Sequence, residues 1–320
     1  MESVSVSQAS PPSLGARLRK WYEHWHYQTG IGPAAWLMRA VILIIVMLFF
    51  GVPVLWLFIA PTKTHPELIS RAPLAIGNLQ NVADAWARLS AYNRGIIFTW
   101  AKNSVWYVAL GLAFAMTVSV PAGYLLAIVD FKGRKLLLWL TLIIMLLPPD
   151  AMVLPMYMEL FQFRLINTPW AVILPAGFAP FAVYLTFVYY RSVMPRDIID
   201  AARVDGCSDI QMFWHIGLPL AQSIVAMLLF NQFGRLWNGF FAASLFLERD
   251  KLKTLPVGIA VMAQQTGALR PNPSAYGKVL LLRPDLALSC IITVLPVILV
   301  FLVSQRLIVR AAMAGAIHGE

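Results

Sequence analysis

Residues 200–219 read DAARVDGCSDIQMFWHIGLP, a polar island in a very apolar chain that carries Asp200, Asp205 and Asp209 with Arg203. The order of residues predicts two short helices around a turn. Pro195 suits a first helical position, because its fixed φ fits the helix and its missing N–H is not needed there. Ala201 and Ala202 favour the helix and have almost no side chain, so another backbone can approach them closely. Gly206 can take the left-handed conformation that ends a helix without steric cost. Ser208 followed by Gln211 matches a capping box that restarts it. Phe213 and Ile216 then make a small apolar face before Gly217 and Pro219 stop the second helix. An ordinary polar loop between membrane helices would account for the charge. It would not account for helix, glycine turn, helix and proline in succession.

The surrounding chain has 320 residues, 59% of them hydrophobic and 12% charged, with a mean hydropathy of +0.70. Soluble domains carry about 25% charged residues, so the composition is that of a polytopic membrane protein. Six apolar segments are long enough for the roughly 20 residues that a spanning helix needs. They lie near 37–60, 103–128, 136–157, 170–190, 217–243 and 286–308. The expected fold is therefore all-α, with six transmembrane helices over 37–309 and a loop at 195–219. Cys207 and Cys290 are too few for a disulfide framework and read as free thiols. The net charge of +10 comes with no nucleic-acid motif, so basic loops set against anionic membrane lipid explain it better.

Basic residues orient the spans. Arg17, Arg19, Lys20 and Arg39 before the first segment predict a cytoplasmic N-terminus, and Lys132, Arg134 and Lys135 agree, as do Arg306 and Arg310. The 191–216 loop then falls in the cytoplasm by its neighbours' charge rather than its own. Residues 1–13 have little to bury and read as disordered. Within 14–36, Leu14, Leu18, Trp21 and Trp25 recur at helical spacing among basic residues, which suits an interfacial helix or plain tryptophan clustering at a membrane boundary. No signal peptide is visible after Met1. Residues 310–320 form a small, flexible cytoplasmic tail.

Two segments carry polar residues at membrane depth. In the third, Pro148 and Pro149 remove two backbone donors and break the helix ahead of Asp150. Irregular backbone is tolerated in lipid only where protein or a water-filled cavity surrounds it, so Asp150 either faces a pathway or caps the restarting helix. In the fifth, Asn231, Arg235 and Asn238 stand at i, i+4 and i+7 on one face. An intramembrane arginine costs about 2.5 kcal/mol or more and faces a bundle interior or cavity. That face either lines a pathway, with Arg235 touching substrate, or forms a seam with another subunit. The basic 244–285 loop either solvates an external surface or attracts an anionic partner.

Residues 200–219 resemble the "EAA" coupling loop of ABC-type importer permeases: E-A-A, then D-G-A, then F, I and L-P. Asp200, Ala201, Ala202, Asp205, Gly206, Phe213, Ile216, Leu218 and Pro219 fall on that pattern, with Asp200 in place of glutamate and Cys207 in place of alanine. Other stretches resemble the carbohydrate-uptake branch, the maltose-type and glycerol-3-phosphate-type subunits: FKGRK at 131–135, P-P-x-x-x-x-x-P-x-Y at 148–157, L-x-N-T at 165–168, W-N-x-F at 237–240 and TLPVG at 254–258. The C-terminal Gln305-Arg306 through Gly319 is similar to that branch's ending, although Arg310 and Ile317-His318 depart from it. The resemblance implies a permease paired with a second, homologous permease, with each coupling loop docked on one subunit of an ATPase dimer. It also implies an extracytoplasmic sugar-binding protein, and ATP and Mg²⁺ bound on the partner ATPase.

The residues themselves agree that hydrolysis lies elsewhere, since the chain has no G-x-x-x-x-G-K-[ST] phosphate loop. The chain also lacks H-E-x-x-H, and His24, His26, His65, His215 and His318 show no metal-ligand spacing, so neither a catalytic nor a metal site is expected. An ion-driven secondary transporter would show inverted repeats and intramembrane acids, and only Asp150 is a candidate. An intramembrane enzyme is the weaker alternative.

Overall fold

A computed structural model describes residues 33–265 and 281–317, with side chains over 35–264 and 281–305. The expectations for residues 1–13 and 14–28 lie outside the described residues. The chain divides into two compact units, 1–56 and 57–320. Helix α1, Pro33–Ile59, is long and apolar enough to cross a membrane.

The second unit is built of α2 (Gln80–Ala91), α3 (Ile96–Ile128), α4 (Arg134–Met145), α5 (Val153–Gln162), α6 (Trp170–Ala176) and α7 (Pro180–Val193). It continues with α8 (Arg196–Val204), α9 (Asp209–Met212), α10 (Gln222–Trp237), α11 (Phe240–Phe246), α12 (Leu255–Gln265) and α13 (Arg283–Ile317). Among the described residues four helices pass the length and hydropathy test for a span, and two bent pairs bring the number to six if each pair is one span. No strand occurs among the described residues.

The first bend falls where backbone donors are missing. The third expected span breaks over Leu146–Pro148, and its halves diverge by 102°. Pro155 sits in the first turn of α5, where a missing N–H costs nothing. The fifth span departs from 217–243: its helix ends at Trp237, and it bends by 74° at the break between residues 220 and 222. At the C-terminus the helix continues through Ile317, so residues 310–317, expected to belong to a small, flexible tail, are helical. Ala311, Ala312, Ala314 and Ala316 are strong helix formers and extend α13.

Helix α3 is the axis of the unit, packed against α6, α7, α10 and α12. Its approach to α7 is close: a Cβ added to Gly123 would lie 2.5 Å from Thr186 Cβ. Small residues allow such contact, and van der Waals packing then supplies the association that apolar lipid cannot drive. Arg134 closes the other end of α3. Its guanidinium donates to the carbonyls of Leu126 at 2.7 Å and Ala127 at 2.8 Å, and to Asp130 at 2.6 Å. The basic turn at 131–135 therefore satisfies helix-end carbonyls as well as carrying charge.

One end of the unit is tied into a cap. Buried Asp285 accepts three hydrogen bonds from Arg88, at 3.2, 2.9 and 2.7 Å, and one from the Leu282 N–H. That partner holds the Arg88 guanidinium above its ordinary pKa. Trp100 and Asn103 of α3 donate to the carbonyls of Asp250 and Lys251. Asn167, in the left-handed region at φ 60°, accepts from the N–H groups of Glu248 and Arg249. The basic 244–285 loop is thus partly neutralised, since Lys253 is buried and paired with Asp250 at 2.6 Å. The 196–220 segment forms the opposite end.

Candidate functional site: the helix-turn-helix at 196–220 and the polar face of α10

The local backbone follows the residue order. Helix α8 starts at Arg196, so Pro195 is its N-cap (φ −64°, ψ 159°) rather than its first helical residue. A proline cap fits, because the extended ψ it adopts is the one an N-cap needs. Gly206 sits at φ 81°, and the chain closes α8 with the paired bonds of a Schellman turn: Cys207 N–H to Ala202 carbonyl, 2.9 Å, and Gly206 N–H to Arg203 carbonyl, 3.0 Å. Ser208 then caps α9. Its Oγ accepts from the Gln211 N–H, and Gln211 Oε1 accepts from the Ser208 N–H at 2.9 Å, completing the capping box.

The second helix does not stop at Gly217 and Pro219. Phe213–Gly217 form a π turn in which the Leu218 N–H bonds back to Phe213, and the chain stays helical through Leu220. A proline cannot donate, and its ring crowds the carbonyl four residues back. The wider turn takes up that crowding, so the bend falls two residues later, at Ala221.

This helix-turn-helix is fastened to the spans by tyrosines. Tyr124 of α3 donates to the Asp209 carbonyl at 3.3 Å, Tyr190 of α7 to the Gly217 carbonyl at 3.2 Å, and Tyr189 to the Leu220 carbonyl at 2.8 Å. Tyr124 also packs edge-on against Tyr190, with ring centroids 5.2 Å apart, and lies 5.0 Å from Phe213. Ala202, Met212 and Phe213 are buried in that cluster. A Cβ on Gly217 would stand 3.1 Å from the Tyr124 ring. The opposite face is open: Val204 is 88% exposed, Ile210 73% and Trp214 60%. Large apolar side chains standing free on a well-fastened polar element are the mark of a docking face.

The expected site residues therefore divide. Ala202 and Phe213 are buried and Ile216 and Leu218 half-buried, all facing the spans. Asp200, Ala201, Asp205, Gly206 and Pro219 are exposed.

On α10, Asn231 and Arg235 are exposed, and Asn238 is exposed just past the helix end. Gln232, buried beside them, donates to the Ala176 carbonyl and accepts from Arg235, each at 3.3 Å. Asp150 lies in a 3₁₀ turn over Pro149–Met152. Its side chain is exposed and makes no cap bond, so it does not cap the restarting helix.

Residues 119–313 match the family of binding-protein-dependent transport system inner membrane components. The chain belongs to this family. It is 33% identical over 226 residues to the arabinooligosaccharides transport system permease of Halalkalibacterium halodurans, covering 70% of this chain and 76% of that one. It is 31% identical to a diacetylchitobiose uptake system permease of Streptomyces coelicolor, over 82% and 83% of the two chains. Its fold is similar to a chain of a bacterial ABC transporter involved in import of the acidic polysaccharide alginate, with a TM-score of 0.73 and 19% identity over 93% of this chain and 99% of that one.

The family match contains the whole helix-turn-helix and the α10 face. Sequence reading missed its fasteners, Tyr124, Tyr189 and Tyr190, which lie in apolar runs where a tyrosine looks like any aromatic. It also missed Gln232, one residue from Asn231. Ile210 and Trp214, four apart in a polar loop, were a legible signal of an exposed apolar stripe.

Proposed function

We propose that this transport component is the permease subunit of an ATP-driven importer of sugars or oligosaccharides and forms half of the translocation pathway. The helix-turn-helix at 196–220 carries the proposal. Its fastened inner face suits transmission of force to α3, α7 and α10, and its exposed Val204, Ile210 and Trp214 suit a cleft on a partner. That partner is a dimer of ATPase subunits, which binds ATP and Mg²⁺, because this chain has no phosphate loop of its own. A second, homologous permease completes the pathway. A sugar-binding protein delivers substrate to the cap end, in keeping with the family's dependence on binding proteins. Both termini and the 196–220 loop lie on the cytoplasmic side of the inner membrane, as the basic residues near 39 and 132–135 favour.

ATP-driven closure of the ATPase dimer moves the two loops together and turns the pathway from inward-facing to outward-facing. Asp200, Ala201, Asp205, Gly206 and Pro219 form or shape the docked surface, while Ala202, Phe213, Ile216 and Leu218 hold it to the spans. Asn231, Arg235 and Asn238 face the pathway, with Asp150 at the broken third span. The sugar assignment draws on the relatives named above, an arabinooligosaccharide permease and a diacetylchitobiose permease.

The test is reconstitution of the complex with both permeases, the ATPase and the binding protein in liposomes. ATP hydrolysis should rise when sugar-loaded binding protein is added, and labelled oligosaccharide should accumulate only with ATP. Uptake driven by an ion gradient without ATP would refute the proposal in favour of a secondary transporter.

A further inference from the structure

The polar face of α10 has a chemistry more specific than pathway lining. Helix α6 ends at Ala176, and the residue four positions on is Pro180, which has no N–H to offer the Ala176 carbonyl. Gln232 fills that vacancy from the neighbouring helix. Its side chain is 4% exposed, its amide donates to the Ala176 carbonyl at 3.3 Å, and its carbonyl turns toward Arg235 Nη1 at 3.3 Å. A buried amide with both ends engaged has one orientation, so Gln232 fixes the near edge of the Arg235 guanidinium.

The remaining donors of Arg235 are uncommitted: it forms no ion pair among the described residues, and its side chain is exposed. Arg88 and Lys253 of the cap, by contrast, each hold a carboxylate. Arg235 also stands in the last turn of α10, where helix-end carbonyls make a cation tolerable without neutralising it. Asn231 and Asn238 flank it on the same face, with donors and acceptors suited to hydroxyl groups. A guanidinium held at one edge and open at the other, between two amides, is a planar fork for a carboxylate on a polyhydroxylated molecule.

We infer that Arg235, positioned by Gln232, recognises the carboxylate of an acidic sugar residue as an oligosaccharide moves along α10. This rests on the importer reading above. Gln232 acts as a positioning residue, and Asn231 and Asn238 bond the sugar hydroxyls on either side.

The test uses the full complex in liposomes, offered a trisaccharide of uronic acids and the same trisaccharide with its carboxyls reduced to alcohols. The binding protein is the same throughout, so its own preference cancels between variants. Arg235→Gln should lower the acidic-to-neutral uptake ratio by about 10- to 150-fold, the range expected for one charge-assisted contact. Arg235→Lys keeps the charge without the fork and should fall between, and Gln232→Met should lower the ratio with Arg235 intact. If only the acidic sugar enters, the same ranking should appear in its uptake rate, with co-purification of the second permease unchanged.

A ratio that does not move, or loss of the second permease from Arg235→Gln, overturns the inference and makes Arg235 a subunit contact. Import of the neutral sugar with exclusion of the acidic one also overturns it, leaving the importer standing. ATP-independent uptake of both removes the importer and this inference together.

Discussion

Replacing Gly206 with valine isolates the contribution of one backbone angle to transport. Gly206 closes α8 at φ 81°, and a Cβ added there would meet no atom within 4 Å. The whole penalty is therefore conformational. A non-glycine residue held in the left-handed region costs about 1–3 kcal/mol, with β-branched residues at the high end and asparagine lowest. At 1.36 kcal/mol per decade, that lowers the population of the native turn about 5- to 160-fold where the loop is otherwise poised between conformations. The two bonds of the turn, from Cys207 and Gly206 to Ala202 and Arg203, would loosen, and with them the angle between α8 and α9. Because Met212, Phe213 and the three tyrosines hold residues 209–220 independently, the chain should still insert and assemble. The assay is ATP hydrolysis stimulated by loaded binding protein, measured beside uptake in liposomes. Uptake should fall in the order glycine, asparagine, alanine, valine, with the amount of assembled complex constant. Equal uptake by all four would refute the reasoning and reduce Gly206 to a spacer.

Three further outcomes follow from particular contacts. Gly217→Val has no positive φ to resist it but meets the Tyr124 ring at 3.1 Å, so overpacking should cost about 1–3 kcal/mol and lower the melting temperature in detergent, which Gly206→Asn should not. Arg134→Met leaves the Leu126 and Ala127 carbonyls without their donor and should cost about 2 kcal/mol, whereas Asp130→Asn, with a partner carboxylate 90% exposed, should change stability by less than about 0.5 kcal/mol. Trp214→Ser removes a side chain that is 60% exposed, so thermal stability should stay within about 0.5 kcal/mol while retention of the ATPase in pull-down falls. Normal ATPase retention would mean that the exposed apolar face is not where the ATPase docks.

Much of the fold is legible in the sequence because its rules act over a few residues. Runs of about 20 apolar residues mark spans whatever they pack against. Pro148 and Pro149 break the third span because a missing N–H is a property of the residue, not of its surroundings. Ser208 with Gln211, and Gly206 after α8, declare a cap and a left-handed turn for the same reason, and the structure has both.

Local rules failed where a neighbour changes the outcome. Gly217 and Pro219 read as a stop, yet the helix widens into a π turn and runs to Leu220, where tyrosines from α7 hold the Gly217 and Leu220 carbonyls just ahead of the bend. For the basic 244–285 loop the charges left solvation of an external surface and an attractive field both open, and burial of Lys253 on Asp250 removes part of that field.

The sequence by itself determined which segments are apolar enough to be candidate spans, where the polar helix-turn-helix falls and which of its residues shape the turn, since composition and punctuation are written along the chain. Only the tertiary structure decided which face of that element is fastened and which is free, and which donor reaches the Ala176 carbonyl that Pro180 leaves unfilled. Those are pairings between residues dozens of positions apart, such as Gln232 with Ala176. Packing of helices on α3 chooses them, and no periodicity encodes them.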